Sequence, residues 1–416
     1  MKRNVIVGQS GGPTAAINSS LAGVYLTAKE CGAKTVYGML NGIQGLLEGR
    51  YIDLSEHIKN GLDAELLKRT PSSFLGSCRY KLPAAEGNEA VYEQIFATLK
   101  ELDIEVFIYI GGNDSMDTIN KLSQYAQAKG SEIRFIGCPK TVDNDLALTD
   151  HTPGYGSAAK YIAISMKELI RDSFTIDFKQ GMCTIVEIMG RNAGWLTAAA
   201  ALSKDEDCQG PDLIYLPEIP FDIESFKAKV KDLLAKKISV VVAVSEGIHT
   251  ADGTYVCELG NSVDFVDAFG HKQLSGTASY LAGYIAGEFG CKTRAIEFST
   301  LQRAGSHVAS LTDISEGFEA GKAAIKAADE GKTGLMVVFE RTSQDPYKCG
   351  TALRDVNKIA NDERVVPREW VNADGDFVTD EFIAYAKPLI QGELAPVMVD
   401  GLPRHLAVPD GLRERA

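Results

Sequence analysis

The chain has 416 residues, 45% of them hydrophobic and 24% charged, with a formal net charge of −13. This is the balance of a globular protein long enough for two or three cored lobes, and without a basic run or stripe it argues against nucleic acid as a partner. No apolar run approaches the ~20 residues that cross a bilayer, and Gly8-Gln9-Ser10-Gly11-Gly12-Pro13 breaks the first apolar stretch too early for a signal-peptide core.

In chain order, Asn4–Gln9 reads as a strand, Ser10-Gly11-Gly12-Pro13-Thr14 as a turn, and Ala16 to about Glu30 as a helix. A second strand, Val106–Ile110, runs into Gly111-Gly112-Asn113-Asp114-Ser115, which opens another helix. A third, Arg134–Cys138, ends in Pro139-Lys140-Thr141-Val142-Asp143-Asn144-Asp145. The alternation continues with strands at Cys183–Ile188, Asp212–Leu216, Ser239–Val244 and Leu335–Phe339, and with helices over Ala193–Leu202, Ile223–Lys236, 277–289 and 314–330. Six mostly β-branched apolar residues at Ser239–Val244 suit a strand buried on both faces, as in a parallel sheet. No internal repeat and no low-complexity linker marks a lobe boundary.

Two nucleotide motifs fail. Gly331-Lys332-Thr333 lacks the upstream glycine of a phosphate-binding loop, and Gly154-Tyr155-Gly156-Ser157-Ala158-Ala159 follows Pro153 rather than a strand, so it reads as a helix start. Cys31, Cys78, Cys138, Cys183, Cys208, Cys257, Cys291 and Cys349 form no C-x-x-C pair or zinc-like spacing. Reduced thiols in a cytoplasmic protein are expected.

Ligands of open α/β sheets bind at the C-terminal ends of strands. Glycines there let backbone N–H groups approach closely, and a helix N-terminus adds partial positive charge, so Gly11, Gly12, Gly112, Asn113, Asp114 and Ser115 are candidate phosphate contacts. For an acidic chain to bind a polyanion, a few cations must make a locally positive pocket. Arg79, Lys140, Arg191, Arg294 and Arg303 are the candidates. Phosphoryl transfer needs positioning, charge neutralisation and a group to accept the nucleophile's proton. Asp143 suits the last role, with Thr141 on phosphate and Asp145 orienting the cluster or holding metal.

Seven blocks in order resemble the phosphofructokinase family, and within it the pyrophosphate-dependent branch. They are Gly11–Asn18, Phe74–Arg79, Gly111–Ser115, Pro139–Asp145, Glu187–Arg191, Ser245–Gly247 and Arg294 through Arg303. The resemblance covers roughly residues 4–305. It implies an α/β chain with two Rossmann-like lobes, mainly parallel sheets and the active site in the cleft between them. Residues 1–155 plus about 303–355 would form the phosphoryl-donor lobe and 156–302 the sugar-phosphate lobe, with about 356–416 as a C-terminal segment of uncertain placement.

The resemblance also implies chemistry. Asp143 would deprotonate the 1-hydroxyl of fructose 6-phosphate, pyrophosphate would be the donor and Mg2+ the cofactor. Met189, Gly190, Arg191, Glu246, Arg294 and Arg303 would bind the sugar phosphate. ATP-using relatives typically carry glycine at positions 114 and 140, where Asp114 would repel a nucleotide's α-phosphate and Lys140 would neutralise the transferring group. Three departures stand out. Asn113 replaces a metal-binding aspartate, leaving metal to Asn113, Asp143 and Asp145 together; Thr300 replaces a histidine; Met182 stands near a missing arginine. A cytoplasmic homodimer or homotetramer working in glycolysis is expected. An ATP-dependent enzyme and a non-catalytic sugar-phosphate sensor are the alternatives.

Overall fold

A computed structural model of the chain describes residues 1–260, 274–359 and 362–412. In chain order the sheet strands are β1 (Asn4–Gln9), β2 (Val36–Met39), β3 (Tyr51–Asp53), β4 (Ile104–Gly111), β5 (Arg134–Pro139), β6 (Met182–Ile188), β7 (Leu213–Tyr215), β8 (Ser239–Ser245), β9 (Lys292–Glu297), β10 (Leu335–Gln344) and β11 (Tyr347–Asp355). The chain divides into unit 1, comprising Met1–Ser157, Arg303–Glu363 and Gln391–Ala416, and unit 2, comprising Ala158–Gln302 and Arg364–Ile390.

Unit 1 is built on a seven-stranded sheet of order β11-β10-β5-β4-β1-β2-β3. Strands β10, β5, β4, β1 and β2 run parallel, and the two edge strands, β11 and β3, pair antiparallel. Alternate residues serve opposite faces, as the pleat requires. Val5, Val7, Val106, Ile108, Ile136 and Val337 pack on one side with helices Ile17–Glu30 and Leu311–Asp329. On the other side, Ile6, Phe107, Tyr109, Phe135, Met336 and Val338 pack with helices Glu89–Glu101 and Asn113–Ala128. Both faces of β4 are therefore covered, which is why its sequence is a continuous apolar run.

Unit 2 holds a four-stranded parallel sheet of order β7-β8-β6-β9. Strands β6 and β8 are buried throughout. The C-terminal segment is shared out: within unit 2, Trp370, Phe382 and Tyr385 gather around Trp195, whose indole N–H donates to the Arg364 carbonyl at 3.0 Å. Within unit 1, the Leu311 N–H donates to the Gly392 carbonyl at 3.2 Å and the Leu406 N–H to the Thr70 hydroxyl at 2.9 Å.

Several expectations change in detail. The helix expected over Ala193–Leu202 is a short α-helix, Trp195–Ala198, continued by the 3₁₀ turn Ala199–Ser203. The late strand continues past Phe339 to Gln344 and returns as β11. Strand β9 was not anticipated; it is a sheet edge with half its residues exposed, so it lacks an apolar run. Gly154 does precede a helix, Tyr155–Ser173, and the Asp313 carboxylate accepts from the N–H groups of Gly154 at 2.8 Å and Ser157 at 3.0 Å. A carboxylate already occupies the place a dinucleotide phosphate would need.

Helices Ile17–Glu30 and Leu311–Asp329 meet backbone to backbone. A Cβ on Gly23 would lie 2.2 Å from the Phe318 carbonyl oxygen, and one on Gly321 would lie 2.1 Å from that of Ser20. Alanine improves helix propensity by up to ~1 kcal/mol over glycine, but overpacking costs about 1–3 kcal/mol. Gly321→Ala should therefore lower the urea midpoint, while Gly283→Ala, with open space around it, should leave it unchanged or raise it. Equal responses of the two variants would refute the close-contact argument.

Candidate active site

Three strand ends of unit 1 converge. Lys140, just past β5, is 2% exposed; its N–H donates to the Gly111 carbonyl at 3.0 Å, and its ammonium donates to the Gly12 carbonyl at 2.8 Å. One residue thus ties the β5 end to the ends of β4 and β1. Gly11 adopts φ +76° in the turn after β1, and a Cβ there would press to 3.1 Å from the Lys140 ammonium. The Ser77 hydroxyl donates to the Gly11 carbonyl at 2.5 Å, holding the same turn from its other side. Gly11, Gly12, Pro13, Ser77, Cys78, Arg79 and Arg303 line a pocket of about 220 Å³.

The Asp143–Asp145 segment is held by its own side chains. The Thr141 hydroxyl receives the Asp143 N–H at 3.1 Å and lies 3.3 Å from the Asp143 carboxylate. Asn144 sits at φ +56°, a conformation asparagine tolerates, and its side-chain oxygen accepts from the Thr152 N–H at 3.1 Å. Burial draws the Lys140 ammonium down to about 8, with Arg303 adding to the effect and Asp143 and Asp145 opposing it. Burial likewise pushes Asp143 upward against the pull of Lys140, the Thr141 hydroxyl and Arg303. Burial, reinforced by the Asp143 and Glu363 carboxylates, raises Asp145 to about 7. Glu363 reaches this cluster through a bridge between its backbone and Leu146.

Gly112 caps the helix Asn113–Ala128, and Asn113, Asp114 and Ser115 make its first turn. Asp114 is exposed. The Asn113 side-chain oxygen is buried and has no hydrogen-bond partner among the described residues.

A second group of residues gathers within unit 2. The loop after β6 places the Met189 N–H 3.4 Å from the Gln302 side-chain oxygen and the Gly190 N–H 3.4 Å from the Glu246 carboxylate. The Ser245 hydroxyl donates to the Gly190 carbonyl. A Cβ on Gly247 would lie 1.9 Å from the Arg191 carbonyl oxygen, so glycine lets the β6 and β8 ends pass each other. Behind this loop, the Glu218 carboxylate accepts from the Gly194 N–H at 2.8 Å and the Val366 N–H at 2.9 Å, coupling the C-terminal segment to it.

Comparison with known proteins places this arrangement. The phosphofructokinase family matches residues 4–328. The chain belongs to the phosphofructokinase family. A pyrophosphate–fructose 6-phosphate 1-phosphotransferase of Xanthomonas campestris is 41% identical over 407 residues, covering 97% of this chain and 96% of that protein. A pyrophosphate-dependent phosphofructokinase structure from Marinobacter aquaeolei superposes with a TM-score of 0.88 at 36% identity, covering 100% of this chain and 98% of that one. One from Nitrosospira multiformis gives 0.87 at 36% identity, with 97% and 95% covered.

Not every residue expected on the sugar side of a phosphofructokinase joins the unit 2 group. Arg303 belongs to unit 1, where its guanidinium approaches to 3.2 Å of the Cβ position of Gly12. Arg294 lies within β9, paired in register with Thr184, five residues before Met189; at ~3.3 Å per residue that is some 16 Å along the strand. Its guanidinium meets the exposed Asp172 at 3.1 Å. Met182 is fully buried at the start of β6 and cannot replace the missing arginine. Glu187 and Glu363 escaped sequence reasoning as individual residues. Glu187 is buried at the end of β6 and accepts from the Ala278 N–H at 2.9 Å, capping the helix Thr277–Phe289, and burial raises its carboxyl to about 7.

The residues of unit 1 fit a divalent cation of the kind this family uses. Mg2+ takes oxygen ligands, only one or two of them carboxylates, and leaves the rest of its shell to phosphate and water. The buried Asn113 side-chain oxygen and the Asp143 and Asp145 carboxylates, whose affinity for protons burial raises, are oxygen donors of that kind.

Metal-free protein should carry the cost of this pair. A carboxyl raised to about 7 when folded, against an ordinary ~3.9, contributes stability below pH 4 that is lost as pH rises through 7. Asp145→Asn should therefore melt higher than wild type at pH 8 in chelator, and the gain should shrink to nothing near pH 4. A variant that melts lower at pH 8 would contradict this.

Proposed function

We propose that the chain transfers a phosphoryl group reversibly from pyrophosphate to the 1-hydroxyl of fructose 6-phosphate, giving fructose 1,6-bisphosphate and phosphate, a glycolytic reaction. The observation that carries this reading is the buried Lys140 ammonium at the meeting of three strand ends, beside a pocket with two arginines. About 220 Å³ is small against the roughly 300–1,000 Å³ of sites for drug-sized ligands, and suits a compact polyanion better than a nucleotide. Full-length relatives named as pyrophosphate-dependent enzymes support the same donor.

In this reading unit 1 is the donor lobe. Backbone N–H groups of Gly11, Gly12 and Gly112 with Ser115, Arg79 and Arg303 hold pyrophosphate, and Lys140 and Thr141 meet the transferring phosphoryl group. Asp114 repels a longer polyphosphate. The sugar hydroxyl attacks phosphorus, its proton passes to Asp143, and the anhydride P–O bond breaks as phosphate leaves. A bound Mg2+, held by Asn113, Asp143 and Asp145, would neutralise charge on the phosphate oxygens. Unit 2 is the sugar lobe, where Met189, Gly190, Arg191 and Glu246 bind fructose 6-phosphate. Arg294, some 16 Å along its strand from the Met189 position, would serve a neighbouring copy in the homodimer or homotetramer that this reading expects. The eight free thiols fit the cytoplasm, and among the described residues no helix is long and apolar enough to cross a membrane.

A coupled assay with pyrophosphate and ATP side by side tests the reading. Pyrophosphate should be the preferred donor; a preference for ATP refutes the donor, and no activity with either refutes the enzyme.

Two substitutions separate the roles. Asp143→Asn should lower turnover by roughly 10²–10⁴, the usual share of general-base catalysis, while both substrates still bind; near wild-type turnover in a folded variant removes Asp143 from that role. Lys140→Gly should cost pyrophosphate turnover about 10², or ~3 kcal/mol, whereas Asp114→Gly should gain measurable ATP use. Unchanged donor ratios in both variants would overturn the assignment of Lys140 and Asp114.

A further inference from the structure

Five residues after Asp145, the chain enters a buried charge cluster that the reaction as described does not use. His151 is 2% exposed. Its Nδ1 lies 2.8 Å from the Asp150 carboxylate and its Nε2 lies 2.7 Å from that of Glu316, on the helix Leu311–Asp329. The ring stacks on Phe339 of β10 with centroids 4.8 Å apart. Arg341 of β10 donates to Asp150 at 2.8 and 3.1 Å, and the Tyr347 hydroxyl of β11 donates to the other Glu316 oxygen at 2.7 Å. Cys349 of β11 completes the surroundings, opposite Arg341 in the ladder.

This cluster is not built as a metal site. The Cys349 thiol, His151 Nε2 and a Glu316 oxygen lie within 4.8 Å of one another. Yet Nε2 and that carboxylate are hydrogen-bonded at 2.7 Å, closer than the roughly 3.3 Å that two ligands of a tetrahedral zinc require.

A neutral imidazole donates from one nitrogen and accepts at the other; only the imidazolium donates from both. With a carboxylate at hydrogen-bond distance on each side, the observed geometry is that of the cation. The residues around it lead directly to the proposed site. The Thr152 N–H holds the Asn144 side chain, the Thr152 hydroxyl donates to the Thr141 carbonyl at 2.8 Å, and the Thr141 N–H donates to the Pro153 carbonyl at 3.2 Å. The Asp150 N–H donates to the Phe339 carbonyl at 3.0 Å. The segment carrying Asp143 and Asp145 is thus pinned to β10 and, through His151, to a helix.

We propose that His151, as an imidazolium, is a positioning residue for phosphoryl transfer, clamping the Thr141–Thr152 segment to Glu316 so that Asp143 and Asp145 are held in their working geometry. The inference rests on the phosphotransferase reading given above.

Burial alone would lower the His151 pKa, but hydrogen bonds to Asp150 and Glu316 overcome it and bring it to about 8. Burial pushes Tyr347 upward and Cys349 up to about 12, so the imidazolium deprotonates before these two as pH rises. The clamp is fully present below His151's ordinary value of ~6.5 and is lost as pH rises through about 8. Asp150 keeps Arg341 as a partner, whereas Glu316 loses its link to the segment.

The test compares kcat of wild type and His151→Gln with pyrophosphate across pH 6.5–9.5. A ratio of about 10 at pH 7, within the cost of misplacing a catalytic group, should fall toward 1 above pH 9, with KM for both substrates within about twofold. Any titration of Lys140 is common to both proteins and cancels in the ratio. A ratio constant with pH, or near 1 at pH 7, overturns the proposal. Should His151→Gln not fold, Glu316→Gln, which weakens the ring's basicity, must move the alkaline inflection downward; an unmoved inflection overturns it equally. Ring-nitrogen NMR of histidine-labelled wild type should show both His151 nitrogens protonated at pH 6.5, and a singly protonated ring refutes the clamp. That spectrum does not depend on turnover, so a wild type inactive with pyrophosphate would indict the phosphotransferase reading separately.

Discussion

A lysine ammonium taken out of water needs compensation, and the strand ends of unit 1 are organised around how Lys140 obtains it. The residue is 2% exposed, and its hydrogen bond to the Gly12 carbonyl joins strands that are far apart in sequence. Asp143 and Asp145 counter its charge while burial weakens it and Arg303 opposes it. An isolated buried ammonium would cost several kcal/mol. Here the cost is offset in part by two carboxylates that are themselves stressed by burial and, for Asp145, by its like-charged neighbours Asp143 and Glu363.

The arrangement in unit 2 depends on backbone rather than charge. Gly190 at φ +139° shapes the Met189–Arg191 loop after β6, and Gly247, whose missing side chain admits the Arg191 carbonyl, lets that loop lie against the β8 end that carries Glu246. Glu218 binds that loop to the C-terminal segment through two backbone N–H groups. The residues beyond 363 therefore act as a brace whose aromatic packing on Trp195 fixes the far side of the loop.

What the sequence disclosed and what it hid follow from burial. Strands β4, β6 and β8 are covered on both faces and stand out as apolar runs, and the glycine turns after β1 and β4 mark their ends. Strand β9 lies at a sheet edge, and the outer part of β10, residues 340–344, runs past β5 to pair with β11 alone; both are mostly polar and were invisible or truncated. Lys140 and Asp143 lie in one short segment after β5 and Asn113 in another after β4, so their places at strand ends could be read locally. That of Glu363 could not, since a backbone bridge to Leu146 brings it in from a distant part of the chain. The positions of Arg294 and Arg303 depend on strand register and on which unit each belongs to, and neither leaves a trace in local sequence.

The Asp313 carboxylate at the start of the helix Tyr155–Ser173 has a consequence for dissolved anions. That helix start lies only ten residues beyond Asp145 and, left open, would be a decoy trap for anions. Because Asp313 is covalently part of the chain, it is present at an effective concentration that dissolved phosphates do not approach, and it fills the trap permanently. The protein is thus its own competitive inhibitor at this helix start.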